Sequence, residues 1–157
     1  MYLRLYLYTD PEATIVRVAR EANMTMPGYA IGLVEGVLGD LKGRRVVVLG
    51  ASYRGRVKET AFSGVFPTVE ILKSRGAVVL VHDPMYSGEE LAAFGFIPYR
   101  LGEPVDAAIL QADHPEYLDL TPTDLPGTQV IIDGRGVLDP ARWEGVAYRS
   151  IGDGTAR

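Results

Sequence analysis

Two glycine-flanked loops carry the cationic side chains with which this chain could bind an anionic ligand. The first loop, residues 50–60, reads GASYRGRVKET and combines one aromatic residue, three cations and two glycines. Glycine allows a backbone to approach a ligand closely, and arginine suits a phosphate or a carboxylate. The composition is compatible with anion binding, but it also fits a solvated loop whose arginines make surface pairs. The G-x-G-x-x-G fingerprint of a dinucleotide-binding turn is absent.

The second loop places Arg135 between Gly134 and Gly136, directly after an apolar run that is predicted to be a strand. An arginine in such a position can fork two hydrogen bonds to a phosphate or a carboxylate. The alternative is an arginine that pairs with a neighbouring carboxylate, either Asp133 or Asp139. Both loops are thus candidates for the recognition of an anion.

Two further polar residues also follow apolar runs. Asp83 stands directly before Pro84. An acidic residue in this place often holds ribose hydroxyls in Rossmann domains, but the missing glycine fingerprint favours a carboxylate that ends the strand and starts a turn. For His114, which also follows a run, a capping or packing role is favoured over that of a catalytic base.

The residue content excludes several kinds of chemistry. The 157 residues include no cysteine and two histidines, which excludes disulfides, thiolate metal sites and cysteine nucleophiles. We therefore predict no catalytic residue and no metal site in this chain. A formal net charge of −4 and a pI near 5.2 make nucleic acid a poor partner. No apolar run reaches the roughly 18 residues that span a bilayer and no signal pattern opens the chain, so we expect a cytoplasmic protein without membrane attachment.

The elements that position the two loops alternate between strands and helices from residue 44 onward. Unbroken apolar runs are typical of parallel strands buried on both faces, and they predict strands at 46–49, 77–81, 107–110, 130–132 and 148–151. Helices are predicted at 65–73, capped by Gly76, and at 89–94. This alternation predicts an α/β fold, a Rossmann-like open parallel sheet with helices on both faces. Such sheets bind ligands beyond the carboxyl ends of their strands, near the point where strand order reverses.

A helical arm is predicted before the sheet. Asp10 and Pro11 mark a helix start, and apolar residues recur at 15, 18, 19 and 22. Pro27 is expected to interrupt the arm, and a second amphipathic helix follows and ends near Lys42–Gly43. We therefore predict a helical segment over 1–42 and a Rossmann-like domain over 43–157. The apolar faces of the arm need a cover, which this domain, a missing neighbour or another copy of the chain could supply.

Five motifs along the chain can be compared with a known family. They are LKGRRVVVLGASYR at 41–54, RGA at 75–77 with HDP at 82–84, ADHPEY at 112–117, VIIDGR at 130–135 and AREANMTMP at 19–27. In the same order they resemble LKGKKVAVLGLAFK, KGAxVxxYDP, TDHxEF, VIDxR and AREINDSMP of the nucleotide-sugar dehydrogenases, the UDP-glucose/GDP-mannose dehydrogenase family. The likeness covers nearly the whole chain.

The resemblance implies a function. Enzymes of this family oxidise the C6 alcohol of a UDP-sugar or of GDP-mannose to a carboxylate with two NAD+, and the uronic acids formed serve polysaccharide biosynthesis. An N-terminal Rossmann domain holds most of the NAD, a cysteine carries a thioester, and the C-terminal domain binds the nucleotide. By this resemblance, Tyr53, Arg54 and Arg135 contact the substrate. The N-terminal helices are similar to the region through which two subunits form a homodimer.

Two departures from the family's motifs alter this expectation. The family's DDxRESP is replaced by KETAFSG at 58–64, so the arginine that reaches toward NAD falls on Ala61, and Lys58 becomes the candidate cofactor-binding residue. The GGxC loop with the catalytic cysteine is absent, so we expect Met1 to mark a cut and the isolated chain to bind without oxidising. The sequences YRG at 53–55 and KET at 58–60 favour a UDP-N-acetylhexosamine as the substrate. The alternative is a stand-alone Rossmann-like module for small-molecule binding or oligomerisation.

Overall fold

The computed structural model describes residues 13–152, which form six strands, three α-helices and two 3-10 turns. The strands are β1 (Arg45–Leu49), β2 (Val78–His82), β3 (Ile97–Pro98), β4 (Ala107–Leu110), β5 (Val130–Asp133) and β6 (Ala147–Ser150). The helices are α1 (Thr14–Leu38), α2 (Val65–Ser74) and α3 (Gly88–Ala93), and the 3-10 turns are Pro115–Tyr117 and Pro140–Trp143. The predicted helix start at Asp10 and Pro11 lies outside the described residues.

The strands within residues 13–152 are all parallel and have the spatial order β3-β2-β1-β4-β5-β6. The order reverses between β1 and β4, and the last pair of residues in their register is Leu49 and Leu110. β5 continues the register, with Asp133 opposite Leu110. The loops that follow β1, β4 and β5 therefore start side by side at the switch point, the place where open α/β sheets bind ligands.

The sheet is covered on both faces, which confirms the predicted Rossmann-like fold. β4 and most of β1 are completely buried because they run through the middle of the sheet. On one face α1, α2 and α3 contribute Ile31, Leu72 and Leu91 to a continuous core. The other face is covered by the two 3-10 turns and by connecting loops. Tyr117 and Trp143 of these turns pack against the sheet.

The predicted strands and sheet-domain helices are present, with ends that differ by no more than one residue. Gly76 has a φ of 80° directly after α2, which confirms its predicted capping role. Sequence patterns missed β3, which consists of Ile97 and Pro98 only and pairs with β2 alone. A two-residue strand shows no periodicity, and proline is tolerated there because β3 is an edge strand.

The prediction that Pro27 divides the arm into two helices is wrong. α1 runs without a break from Thr14 to Leu38 and includes Pro27 in its interior. A proline inside a helix costs roughly 3 kcal/mol. The second half of α1 packs Ile31 and Val34 completely into the core, and burial contributes about 1.5–3 kcal/mol for each such side chain. Packing therefore offsets the proline. The helix ends at Leu38, before the predicted Lys42–Gly43, because Gly39 adopts a φ of 71°.

The first half of α1 exposes large apolar side chains to solvent in the described part of the chain. Ile15 is 85% exposed, Val18 54% and Met24 64%. Ile15 and Val18 lie on one face, and Met24, nine positions after Ile15, lies on the opposite face. In the second half of the helix Ala30, Ile31 and Val34 are buried. No helix within residues 13–152 combines the length and the apolar content that a membrane crossing requires.

Candidate functional site

The loop after β1 begins against the loop after β4. Gly50 has a φ of 103°, and a Cβ at this position would lie 2.4 Å from the Cβ of Ala112. Only glycine allows this approach, because it combines a positive φ with the absence of a side chain. The chain then turns so that residues 50–60 run across the carboxyl edge of the sheet, where the predicted anion-binding side chains lie.

Asp83 anchors the start of this loop. Its Oδ2 accepts hydrogen bonds from the backbone N–H groups of Ala51 (2.8 Å) and Ser52 (3.0 Å) and from the Ser52 hydroxyl (3.0 Å). Its Oδ1 accepts from the N–H of Met85 at 2.9 Å. Asp83 is buried. The carboxylate thus ends β2 and holds a turn, as the favoured interpretation expected, and its oxygens are occupied by the protein.

His114 is a packing residue. It is buried, its ring meets the edge of Tyr117 with centroids 5.7 Å apart, and its Nδ1 accepts from the backbone N–H of Arg56 at 3.4 Å. Its Nε2 lies 3.2 Å from Asp83 Oδ2 but without the angle of a hydrogen bond. We interpret this as a close electrostatic contact. A buried ring with these neighbours is not placed to act as a base on a ligand.

Asp113 connects the loops after β1 and β5. Its Oδ1 accepts from the backbone N–H of Gly55 at 3.0 Å and lies 3.1 Å from Nη2 of Arg135. The Gly55 N–H, the backbone N–H of Asp113 itself and the Arg135 guanidinium together hold the pKa of the Asp113 carboxyl below its usual value. At Gly55 a Cβ would lie 2.1 Å from the carbonyl oxygen of Asp113. One carboxylate therefore sets the distance between the two cationic loops.

Asp133 shapes the loop that carries Arg135. Its buried carboxylate accepts from the backbone N–H groups of residues 135–138 at 2.7–2.9 Å and from the Tyr148 hydroxyl at 2.9 Å. At the preceding Gly134 a Cβ would lie 2.6 Å from the Leu110 carbonyl oxygen. The Arg135 guanidinium pairs with Asp113, so the predicted alternatives, Asp133 and Asp139, are not its ion-pair partners. The true partner lies in another loop, which sequence proximity could not indicate.

Tyr53 and Arg54 form an exposed pair at the same edge. Arg54 Nε donates to the Tyr53 hydroxyl at 3.2 Å, and the guanidinium carbon lies 5.6 Å from the centre of the tyrosine ring. Tyr53 is 40% exposed. The ring therefore supports the arginine while part of its surface and much of the guanidinium remain open to a ligand.

Two clefts meet at Arg135, and together they bring the three predicted substrate-binding residues to one place. The larger, about 890 Å³, lies between α1 and the carboxyl edge of the sheet and includes Tyr53 and Arg135 in its lining. The smaller, about 550 Å³, includes Arg54 and Arg135. The lining of the larger cleft also contains Arg20, Asn23 and Gln111. Sequence reasoning did not select these three, although Gln111 directly follows β4 and the other two belong to the AREANMTMP motif.

Lys58 is placed differently from the other candidates. Its Nζ lies 2.5 Å from Glu90 Oε1, at the start of α3, and 5.0 Å from the centre of the Tyr86 ring. Lys58 is not among the lining residues of either cleft, whereas Ala61 and Phe62 line the larger one. Its role in binding a cofactor remains a prediction. Within residues 13–152 no three metal-ligating carboxylate or imidazole groups converge.

Known proteins with similar sequences are enzymes that act on nucleotide sugars. A family model for the UDP-binding domain of the UDP-glucose/GDP-mannose dehydrogenase family matches residues 47–140. The chain is 29% identical over 147 residues to the UDP-N-acetyl-D-mannosamine dehydrogenase of Pyrococcus horikoshii, an alignment that covers 89% of this chain and 34% of that protein. It is 26% identical over 149 residues to a UDP-glucose 6-dehydrogenase of Bacillus subtilis, covering 88% and 32% respectively.

The solved structures agree with the sequence relatives. A UDP-glucose dehydrogenase from Pyrobaculum islandicum superimposes with a TM-score of 0.75 and 29% identity, over 94% of this chain and 35% of that one. The chain thus spans about a third of the length of the relatives that it matches. The range matched by the family model includes Tyr53, Arg54 and Arg135. This chain belongs to the UDP-glucose/GDP-mannose dehydrogenase family and contains its UDP-binding domain.

Proposed function

We propose that this chain binds the nucleoside diphosphate part of a UDP-sugar or of GDP-mannose, for an NAD-dependent oxidation of the sugar C6 alcohol to a carboxylate. The observation that carries the proposal is the meeting of Tyr53, Arg54 and Arg135 at the switch point of the sheet. Guanidinium groups bind phosphate oxygens through paired, charge-assisted hydrogen bonds. A partly exposed aromatic ring beside them offers a surface on which a base can stack.

The charge of this edge contrasts with that of the whole chain. The formal net charge is −4, yet the described lining of the smaller cleft contains Arg54, Arg56 and Arg135 with the single carboxylate of Asp113. Neither Arg54 nor Arg56 has a carboxylate within ion-pair distance in residues 13–152. Their positive charge is therefore available to a ligand, and the cleft attracts an anion such as a diphosphate.

The contribution of this chain to the oxidation is to bind and orient the substrate. The sequence contains no cysteine, so a thioester intermediate would need a thiol from outside it. The described residues do not fit a dinucleotide site, because residues 50–64 separate β1 from α2 and lack the glycine fingerprint. NAD would be held mainly by a separate domain. Within this chain Lys58 is the candidate contact, and it would have to leave Glu90 first.

For the sugar we propose an N-acetylhexosamine. Support comes from the Pyrococcus horikoshii relative, which is named a UDP-N-acetyl-D-mannosamine dehydrogenase and is 29% identical to this chain. UDP-glucose dehydrogenases of Bacillus subtilis and Pyrobaculum islandicum are 26% and 29% identical, so the choice of sugar also depends on the residues at 53–55 and 58–60. The products, sugar acids, would serve polysaccharide biosynthesis.

We also propose that two copies of the chain associate through the first half of α1. Ile15 and Val18 are exposed on one face of a helix whose second half is anchored in the core, because they stand three positions apart. Apolar side chains repeated along one helix face are stabilised when a second helix covers them. We propose the division of the chain accordingly, into a helical segment over 1–42 that makes this contact and a binding domain over 43–157.

Calorimetry with UDP tests the proposed function. We expect the unmodified chain to bind UDP and the Arg54→Ala and Arg135→Ala variants to bind it about 10- to 150-fold more weakly, since a hydrogen bond to a charged group contributes about 1.5–3 kcal/mol. Arg75→Ala is the matched control. Arg75 pairs with Glu35 at the opposite edge of the sheet, where the guanidinium is exposed, so its loss should leave UDP binding unchanged. Equal affinities for all four proteins would rule out a phosphate role for the two arginines.

A further inference from the structure

We infer that Arg56 is a third diphosphate-binding guanidinium of this site. The inference rests on the proposed function, which it deepens by assigning a contact outside the set of Tyr53, Arg54 and Arg135. Arg56 has a φ of 61°, in the left-handed region that non-glycine residues seldom adopt. Such a conformation persists only where the surroundings impose it, and it is concentrated at functional sites.

The surroundings that impose it are two residues of the β4 loop. The N–H of Gly55 donates to Asp113 Oδ1, and the N–H of Arg56 donates to Nδ1 of the buried His114. Gly55 approaches the backbone of Asp113 so closely that a side chain at position 55 would overlap it. Two consecutive N–H groups are thus directed into the protein, and the Arg56 side chain is exposed in the smaller cleft.

Three guanidinium groups converge on this cleft from two loops. Arg54 and Arg56 come from the loop after β1, and Arg135 comes from the loop after β5. Asp113 holds both loops, so the spacing of the arginines is set before a ligand arrives. Asp113 neutralises one of the three charges, and the two others have no carboxylate partner in residues 13–152.

This arrangement matches a diphosphate better than a single carboxylate or a sugar ring. A diphosphate presents two adjacent tetrahedral groups with several acceptor oxygens, and each guanidinium can fork to one pair of oxygens. A single carboxylate would satisfy one guanidinium and leave the others repelling each other at short range. The cleft of about 550 Å³ has room for such a group.

The test is calorimetry of the full chain with two probes, UDP and inorganic diphosphate. The main variant is Arg56→Gly, because glycine accepts a φ of 61° and removes the guanidinium without adding strain. We expect it to unfold at the same temperature as the unmodified chain and to bind both probes about 10-fold more weakly or worse. Arg56→Lys keeps the charge but not the fork, and it should recover part of the loss. Arg75→Ala serves again as the matched control.

The outcomes separate this inference from the proposed function. If Arg56→Gly binds both probes like the unmodified chain while Arg135→Ala does not, Arg56 is not a contact and the proposed function stands. If inorganic diphosphate binds in an Arg56-dependent manner but UDP binds no better than diphosphate, the third contact is supported and nucleotide recognition is refuted. If the unmodified chain binds neither probe, both proposals are overturned.

Discussion

Replacing Asp133 with alanine tests how the loop that carries Arg135 is held. The buried carboxylate accepts four backbone hydrogen bonds from residues 135–138 and one from the Tyr148 hydroxyl. Alanine would leave the buried N–H of Leu138 without an acceptor, which costs about 1–3 kcal/mol, and the more exposed donors would lose about 1 kcal/mol or less each by turning to water. We expect Asp133→Ala to lower the free energy of unfolding by about 3–5 kcal/mol, as for other broken buried networks.

Urea denaturation measures this loss directly. A domain is stable by about 5–15 kcal/mol, so the variant should still fold but with a much lower urea midpoint. For a chain of this length the melting temperature should fall by about 6–20 °C, at roughly 2–4 °C for each kcal/mol. UDP binding should also weaken, because Arg135 would no longer be directed toward Asp113 and the clefts.

The same loop provides the control. The exposed side chain of Asp139 accepts one hydrogen bond, from the N–H of Ala141 at 3.0 Å. Asp139→Ala removes a carboxylate of the same type a few residues away, and a lost cap of this kind costs about 1 kcal/mol. Equal urea midpoints for Asp133→Ala and Asp139→Ala would refute the idea that the buried carboxylate organises the loop.

Three further predictions follow from the contacts described above. Gly50→Ala should lower the free energy of unfolding by at least about 2 kcal/mol in urea, because its Cβ would overlap Ala112 at a φ of 103°. The pKa of Asp113 is lowered in the folded protein, so its contribution to stability should be present above the unfolded pKa of about 3.9 and lost as pH falls through the lower, folded pKa. The urea midpoints of Asp113→Asn and of the unmodified chain should therefore differ at pH 6 and converge in acid. A difference that stays constant with pH would contradict this. The double variant Ile15→Asp and Val18→Asp should halve the mass measured by light scattering if the exposed face of Ile15 and Val18 joins two copies. An unchanged mass would exclude that face as the interface.

Much of the fold could be predicted because its signals are local. The unbroken apolar run of β1 requires burial on both faces, and alternation with helices implies parallel strands. The helix break predicted at Pro27 was wrong because the interaction that decides it is not local. Pro27 is a local signal for a helix break, but the packing of Ile31 and Val34 against the sheet outweighs it. That packing energy is absent from any short stretch of sequence.

The candidate site was only partly predictable. The two loops could be selected because glycine-flanked cations at strand ends are visible in the sequence. Within them, the resemblance to the family singled out Tyr53, Arg54 and Arg135. The pairing of Lys58 with Glu90 was not visible, since the two residues are 32 positions apart and meet through the placement of α3. In the sequence Arg56 is one of three cations in the loop, and only its backbone conformation distinguishes it from the other two.

The sequence by itself determined the order of strands and helices, the absence of thiol chemistry and the presence of cationic loops at strand ends, because each follows from residue type and near-neighbour spacing. The tertiary structure decided which charges meet. Asp113 holds Gly55 and Arg135, from loops that begin more than 80 residues apart, because β1, β4 and β5 lie side by side in the sheet. Strand order brings those loops together, and hydrogen bonds between residues so far apart exist only once the sheet has formed.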